Sequence, residues 1–268
     1  EIIKEAQHFG GTINAKVPTF ETLESKLHKK DVPTKHWLKY VSGIAAIFVL
    51  GIALFMLFDK DTINIFDTNY AQNETITLPD NSIVKLNQQS HLEYNASKWR
   101  KNRIVSLKGE AFFDVEKGNR FDVTTTYGTI SVLGTEFNVM SRDSLFKVSC
   151  YEGLVQVNYG TDTIKLPAGT EFVLKSGYAE TTTIVISEPF WLKQMSVFEN
   201  ASINEVIKEI ETQFDITISK EFDEYDLMFS GAFVHYDLEN ALKSVTQPLN
   251  LTYEIANNKE VIIRNVKN

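Results

Sequence analysis

The chain has 268 residues, one cysteine and a formal net charge of -8, from 27 basic and 35 acidic side chains. The acidic balance disfavours a nucleic-acid partner, because binding to phosphates needs clustered cations. A single cysteine excludes an internal disulfide framework, and the five histidines are scattered without the spacing of metal ligands. The composition fits one or two folded domains and indicates no metal and no cofactor.

The longest apolar run, residues 40–58 (YVSGIAAIFVLGIALFMLF), contains no charge, amide or proline. A helix of this length spans roughly 28 Å, close to the ~30 Å hydrocarbon core of a bilayer. We therefore predict a transmembrane helix here, with residues 59–72 as a linker that leaves the membrane. A buried core helix and a cleaved signal peptide are the alternatives, but the run is long for either.

The charges beside the apolar run predict its orientation. Five lysines closely precede the run, whereas only Lys60 follows it before Lys85. Because Lys and Arg are retained on the cytoplasmic side, residues 1–39 are predicted to be cytoplasmic and the rest of the chain exported. Two short amphipathic patterns in residues 1–36 are typical of the tail of a helical bundle, or of a segment that folds on a partner. A disordered tail is the alternative, and the start at Glu1 indicates a fragment or a processed chain.

Residues 73–187 are predicted to form an all-β sandwich or roll. Apolar and polar residues alternate there in short segments that are separated by turn residues, as in Lys117-Gly118-Asn119. Many short strands at this spacing are typical of sandwiches and rolls. The predicted strands are residues 75–78, 83–86, 91–94, 103–108, 110–116, 121–126, 129–133, 136–141, 145–151, 154–158, 163–166, 171–174 and 183–186.

Residues 188–268 are predicted to form a compact α+β module with the element order βαββαββ. Ser202 and Glu205 have the spacing of a capping box, so a helix should begin after Ser202. Asp237 is placed to cap a second helix, which Pro248 ends.

Several motifs in residues 73–187 resemble the FecR family of periplasmic signalling domains. They are ITLPDNSIVKLN, VSLKGEAFFDV, ISVLGTEFNV, CYEGLVQV and LPAGTEF, in the family's order and spacing. The stretch from Phe190 to Ile255 is similar to the module that follows this domain in Bacteroidota members, which is itself similar to the short N-terminal domain of secretins and TonB-dependent receptors. Asn81 stands where the family usually has Gly, which the turn tolerates because Asn accepts positive φ.

The resemblance implies an anti-sigma factor in the inner membrane of a Gram-negative bacterium, with a cytoplasmic N-terminus and a periplasmic C-terminus. It implies two protein partners, an extracytoplasmic-function sigma factor inside and the signalling domain of an outer-membrane TonB-dependent receptor outside. An intramembrane protease that frees residues 1–39 is a third expected partner. The alternative is a periplasmic docking or secretion-system accessory subunit, which the secretin-like tail suggests.

No motif indicates an enzyme. Glu110, Asp114 and Glu116 alternate along one strand, which is typical of a solvated face rather than of a hydrolase site. Cys150 is interpreted as a buried core thiol. The Gly134-Thr135 step is interpreted as a tight turn or, as the resemblance implies for some relatives, as a site of self-cleavage through the Thr135 hydroxyl.

A small mixed sheet exposes strand edges that a partner can extend. We predict such edges near residues 227–233 and 261–264. The aromatic side chains there can serve as anchors for a partner, or they belong to the core. The predicted partner-binding residues are Phe229, Phe233, Tyr236, Val261 and Ile263.

Overall fold

The computed structural model describes residues 19–21, 24, 37–58, 61–142, 145–223 and 227–266, and these form two units divided at residue 58. Helix α1 (Trp37–Phe58) belongs to the first unit. Within the described residues, no helix meets the combined length and hydropathy that a membrane span requires. The amphipathic patterns predicted in residues 1–36 lie almost wholly outside the described residues.

The second unit begins with a domain built from strands, called here the β domain, which confirms that this part of the chain is mostly β-sheet. Its strands are β1 (Ile63–Asp67), β2 (Glu74–Thr77), β3 (Ile83–Leu86), β4 (His91–Asn95), β5 (Arg103–Asp114), β6 (Phe121–Thr124), β7 (Thr129–Val132), β8 (Glu136–Arg142), β9 (Leu145–Glu152), β10 (Leu154–Tyr159), β11 (Asp162–Pro167), β12 (Thr170–Lys175) and β13 (Tyr178–Thr183).

Strand β5 joins the two halves of the domain. Its first part pairs with β4 and, in parallel, with β6, whereas its second part pairs with β3 and β8. The main path of the sheet runs β11-β10-β7-β6-β5-β8-β9-β12-β13. Side chains that alternate inward bury an aromatic core, in which the Phe113 ring stacks on Phe137 with centroids 5.0 Å apart.

The prediction of two strands at 103–108 and 110–116 is wrong, because β5 continues through Gly109. This glycine has φ of 105°, and a Cβ atom there would lie 2.3 Å from Ser90 Oγ. Only glycine fits such a position, so the residue bends the strand where its pairing changes and does not end it.

The predicted linker at residues 59–72 contains a strand that the sequence pattern did not indicate. Strand β1 lies within it and pairs antiparallel with β4, with Ile63 opposite Asn95. The Phe66 ring stacks on Tyr94, with centroids 6.1 Å apart, while Ile63 and Ile65 are exposed. Apolar residues therefore point to both faces of β1, which hid the period-two signal in the sequence.

The C-terminal module has the predicted order βαββαββ. Its elements are β14 (Met195–Ser202), α2 (Ile203–Phe214), β15 (Thr217–Glu221), β16 (Met228–Val234), α3 (Leu238–Thr246), β17 (Leu251–Asn257) and β18 (Glu260–Asn265). The Ser202 side chain accepts a hydrogen bond from the Glu205 amide, and the Glu205 side chain accepts one from the Ser202 amide, which confirms the capping box. Strands β14 and β16 form one sheet, and β15, β18 and β17 form another.

Candidate functional site

Four of the five predicted partner-binding residues lie in the core of the C-terminal module. Phe229, Phe233, Val261 and Ile263 are all buried, whereas Tyr236 is 73% exposed. The Phe198 ring explains the burial of the two phenylalanines, because its centroid lies 6.1 Å from that of Phe229 and 5.8 Å from that of Phe233. In this structure only Tyr236 of the five is accessible to a partner.

The predicted open edge at residues 261–264 is also corrected. Strand β18 is central, with β15 on one side and β17 on the other. On the outer side of β15, the Ile218 amide donates to Glu211 Oε1 (2.7 Å), so a side chain occupies part of that edge. Strand β17 pairs only with β18 among the described strands, and its Ile255 is 40% exposed. The accessible edge of this sheet is therefore β17.

The Gly134-Thr135 step lies in a tight, enclosed turn. Gly134 has φ of 151°, and a Cβ atom there would lie 2.7 Å from the Cα atom of Lys117. Thr135 is only 4% exposed, and its hydroxyl donates to the Leu154 carbonyl oxygen (3.3 Å). A Cβ atom on Gly153 would lie 2.9 Å from Thr135 Oγ1 and 3.0 Å from the Gly134 carbonyl oxygen. The absence of a side chain on Gly153 thus lets the two turns pack together.

Carboxylates line the surface beside this turn. Asp114, Glu136 and Glu152 share a small pocket with Gly134 and Thr135. Partial burial raises the pKa of the Glu136 carboxyl above its usual value, and the nearby charges of Asp114 and Glu152 add to that shift. No cluster of His, Cys, Asp or Glu among the described residues has the arrangement of a metal site.

Glu110 contradicts the predicted solvated face, because it is only 5% exposed. Its Oε2 accepts a hydrogen bond from Asn87 Nδ2 (2.8 Å), and its Oε1 accepts one from Asn138 Nδ2 (2.9 Å). Asn138 Oδ1 in turn accepts from Trp191 Nε1 (3.1 Å), which belongs to the segment that leads into the C-terminal module. A buried carboxylate of the β domain is thus connected through one amide to the other module.

A second group of hydrogen bonds centres on Glu209 of helix α2. Its Oε1 accepts from Ser196 Oγ (3.0 Å), from Gln213 Nε2 (2.9 Å) and, across the module boundary, from Gln88 Nε2 (3.4 Å). Ser196 Oγ is also 2.9 Å from His235 Nε2. Burial lowers the pKa of His235, and the charge of Glu209 acts against that shift.

The two groups of hydrogen bonds border one cavity of about 320 Å³. Residues from both modules line it, among them Glu110, Tyr151, Trp191, Phe198 and Glu209. Burial raises the pKa of the Tyr151 phenol, and the carboxylates of Glu171 and Glu110 raise it further. The modules therefore meet through polar contacts around an incompletely filled space, which is a candidate functional site of the chain.

Cys150 lies in the core of the β domain and has no disulfide partner. Burial raises the pKa of its thiol to about 11, so the thiol stays protonated and unreactive at neutral pH. This agrees with the predicted buried core thiol.

Sequence reasoning missed Trp191 and Glu209 as contact residues. The signal available in the sequence was the polar residue inside apolar motifs, such as Asn87 in VKLN, Glu110 in KGEAFF and Asn138 in EFNV. A polar side chain on an otherwise buried strand needs a hydrogen-bond partner, but the pattern does not say which one.

Two family models match this chain. The one described as FecR protein matches residues 65–156, and the one described as FecR, C-terminal, matches residues 195–263. Together they cover more than half of the chain. No curated protein matches it.

Two crystal structures of candidate anti-sigma factors from Parabacteroides distasonis share the fold. The first is 23% identical and has a TM-score of 0.68, covering 77% of this chain and 100% of that chain. The second is 22% identical and has a TM-score of 0.67, covering 76% of this chain and 100% of that chain.

Proposed function

We propose, from the premise that this chain belongs to the FecR family, that it is a membrane-anchored anti-sigma regulator. In this proposal the C-terminal module receives the signalling domain of an outer-membrane TonB-dependent receptor in the periplasm. Residues 1–39 then control an extracytoplasmic-function sigma factor in the cytoplasm. Proteolysis within the anchor, which frees those residues, is the proposed route of transmission.

The anchor is proposed to lie in residues 40–58. The uncharged run of residues 40–58 and the lysines before it support this assignment and the orientation. A periplasm-active reporter fused to the C-terminus of the full chain should be active, and a cytoplasm-active reporter at the same place should be silent. The opposite pattern would contradict both the orientation and the relay.

The observation that carries the periplasmic half of the proposal is the open edge of β17. An unpaired strand edge offers main-chain donors and acceptors that a partner strand can use. Ile255 on that strand is 40% exposed and supplies an apolar anchor. Tyr236, 73% exposed, is a second accessible anchor in the same module.

Binding of the full chain to the purified receptor signalling domain, measured by titration calorimetry in detergent, tests this proposal. Ile255→Asp should weaken binding at least about tenfold, because a charge replaces a central apolar contact. Val185→Asp is the matched control, since Val185 is fully exposed and lies outside the module's strands. Equal affinities for both variants and the wild type would refute docking at β17.

We propose self-cleavage at Gly134-Thr135 as a second activity, supported by the close approach of Gly153 to both reacting groups. Thr135 Oγ1 attacks the Gly134 carbonyl carbon, the C–N bond breaks, and the Thr135 nitrogen gains the hydroxyl proton. Water then hydrolyses the ester that has formed. Wild-type protein should give two fragments on a denaturing gel, and Thr135→Ala should give one intact chain, with Thr163→Ala as the control. An uncleaved wild type would exclude this activity.

A further inference from the structure

The β domain and the C-terminal module do not share a hydrophobic core. The buried apolar residues form two separate clusters, one within each module. Side chains that interdigitate supply most of the attraction between packed elements, so two domains without a common core are free to move unless polar contacts hold them.

Polar contacts join the modules across this boundary, from a buried hydrogen bond at Trp191 to a partly exposed ion pair at Lys175, and the Ala71 amide also donates to the Thr212 carbonyl oxygen (3.3 Å). Trp191 Nε1 donates to Asn138, Gln88 Nε2 donates to Glu209, and Lys175 forms an ion pair with Glu205. The Gln88–Glu209 distance of 3.4 Å is at the long end for a hydrogen bond. The cavity of about 320 Å³ beside them means that the surfaces between these contacts do not pack closely.

The chain between the modules can serve as a hinge. Residues 184–187 form neither helix nor strand after β13, and Val185 is fully exposed. Glu188 forms an ion pair with nearby Lys193 (3.3 Å), and the last backbone hydrogen bond to β-domain residues before it is donated by Ile184 to the Gly169 carbonyl oxygen (2.8 Å). Backbone with few contacts is where large changes in φ and ψ are absorbed.

We propose that the contacts of Trp191, Glu205 and Glu209 with the β domain form a releasable latch, and that the C-terminal module swings away on residues 185–189. The latch has a hydrogen-bond side, Trp191 on Asn138, and a charged side, Lys175 on Glu205. Release further exposes residues 195–198 of β14, which line the cavity in the latched state.

The role of the latch in signalling rests on the proposed function, whereas the latch itself is argued from contacts within this chain. A partner shifts such an equilibrium only if it binds one state more tightly than the other. The face of β14 that lines the cavity in the latched state provides that difference for a partner that contacts it. A partner that contacts this face would bind the released state more tightly, and its binding would therefore shift the position of the C-terminal module.

Distances between spin labels on the full chain in detergent test the latch without any partner. Tyr178→Cys on β13 and Tyr236→Cys in the C-terminal module place labels on exposed sites of the two modules. Cys150 stays unlabelled because its thiol is buried. The latched molecule should give one narrow distance distribution.

Two matched pairs of variants then decide the outcome. Trp191→Phe removes one hydrogen bond across the boundary and should raise the released fraction about fivefold. Trp99→Phe, which alters a buried indole whose Nε1 has no partner, should leave the distribution unchanged. Lys175→Glu reverses the charge of a 52% exposed latch residue and should broaden the distribution, whereas Lys243→Glu, at 53% exposure in a pair inside the module, should not.

The charge reversals lie on exposed side chains, so they test the latch even if Trp191→Phe impairs folding. A distribution that stays narrow in both Trp191→Phe and Lys175→Glu would overturn the proposal, as would equal broadening in the control variants. Neither result would bear on binding of the receptor domain at β17, which is measured separately.

Discussion

The β domain and the C-terminal module stabilise their folds in different ways. The thirteen strands of the β domain pack around stacked and edge-on aromatic rings, including Phe113, Phe121 and Phe137. The C-terminal module packs two short helices on two small sheets, mainly through aliphatic side chains and helix caps. The difference shows that each module has its own core, mainly aromatic in the β domain and mainly aliphatic in the C-terminal module.

The largest expected effect comes from truncating the aromatic core. Phe113→Ala should lower the free energy of unfolding of the β domain by about 3–5 kcal/mol, because it leaves a cavity among rings that cannot collapse into it. Urea unfolding followed by Trp99 fluorescence measures this, since Trp99 lies in the same core. Tyr178→Ala, at an exposed aromatic residue, is the control and should change little. A similar loss in the control would mean that the core does not dominate the domain's stability.

A matching truncation in the module tests its independence. Leu242→Ala, at a fully buried residue of α3, should cost about 2–5 kcal/mol but only in the module. Hydrogen exchange should show faster exchange in α2 and α3 and unchanged protection in the β domain. Met228→Ala, at an exposed residue, serves as the control. Loss of protection in both modules together would contradict independent folding, because it would mean that the two modules unfold as one unit.

The helix cap offers a smaller test within the module. Ser202→Ala removes the acceptor for the Glu205 amide and should destabilise the module by about 1 kcal/mol. The first turn of α2 should show the largest increase in hydrogen exchange. Ser219→Ala, an exposed serine on β15 outside any cap, should leave exchange in that turn as it is in the wild type. Equal changes in the two variants would argue against a stabilising cap.

The smallest expected effect is a dependence of module stability on pH. Burial lowers the pKa of His235, so between that value and the usual His pKa the folded module binds fewer protons than the unfolded chain. Stability should therefore fall as the pH drops from 7 through this window. His235→Gln should flatten the decrease, which urea midpoints of the module at pH 7 and pH 5 would reveal. An unchanged slope in His235→Gln would assign the effect to other groups.

Local patterns in the sequence predicted the parts of the fold that depend on neighbouring residues. The capping box at Ser202 and the order βαββαββ were correct, because caps and periodicity act within a few residues. The strand β1 escaped detection since both of its faces carry apolar residues. The strand break predicted at Gly109 was wrong because this glycine is required by the close approach of Ser90, which is distant in sequence.

The sequence by itself determined most of the strands and both helices of the C-terminal module, and its motifs indicated the family. Only the tertiary structure decided that Glu110 is buried, that β18 is central and that Trp191 reaches across to Asn138. The physical reason is the range of the interactions. Periodicity and capping are encoded in adjacent residues, whereas strand order and the partner of a buried polar group depend on surfaces that meet only after the chain has folded.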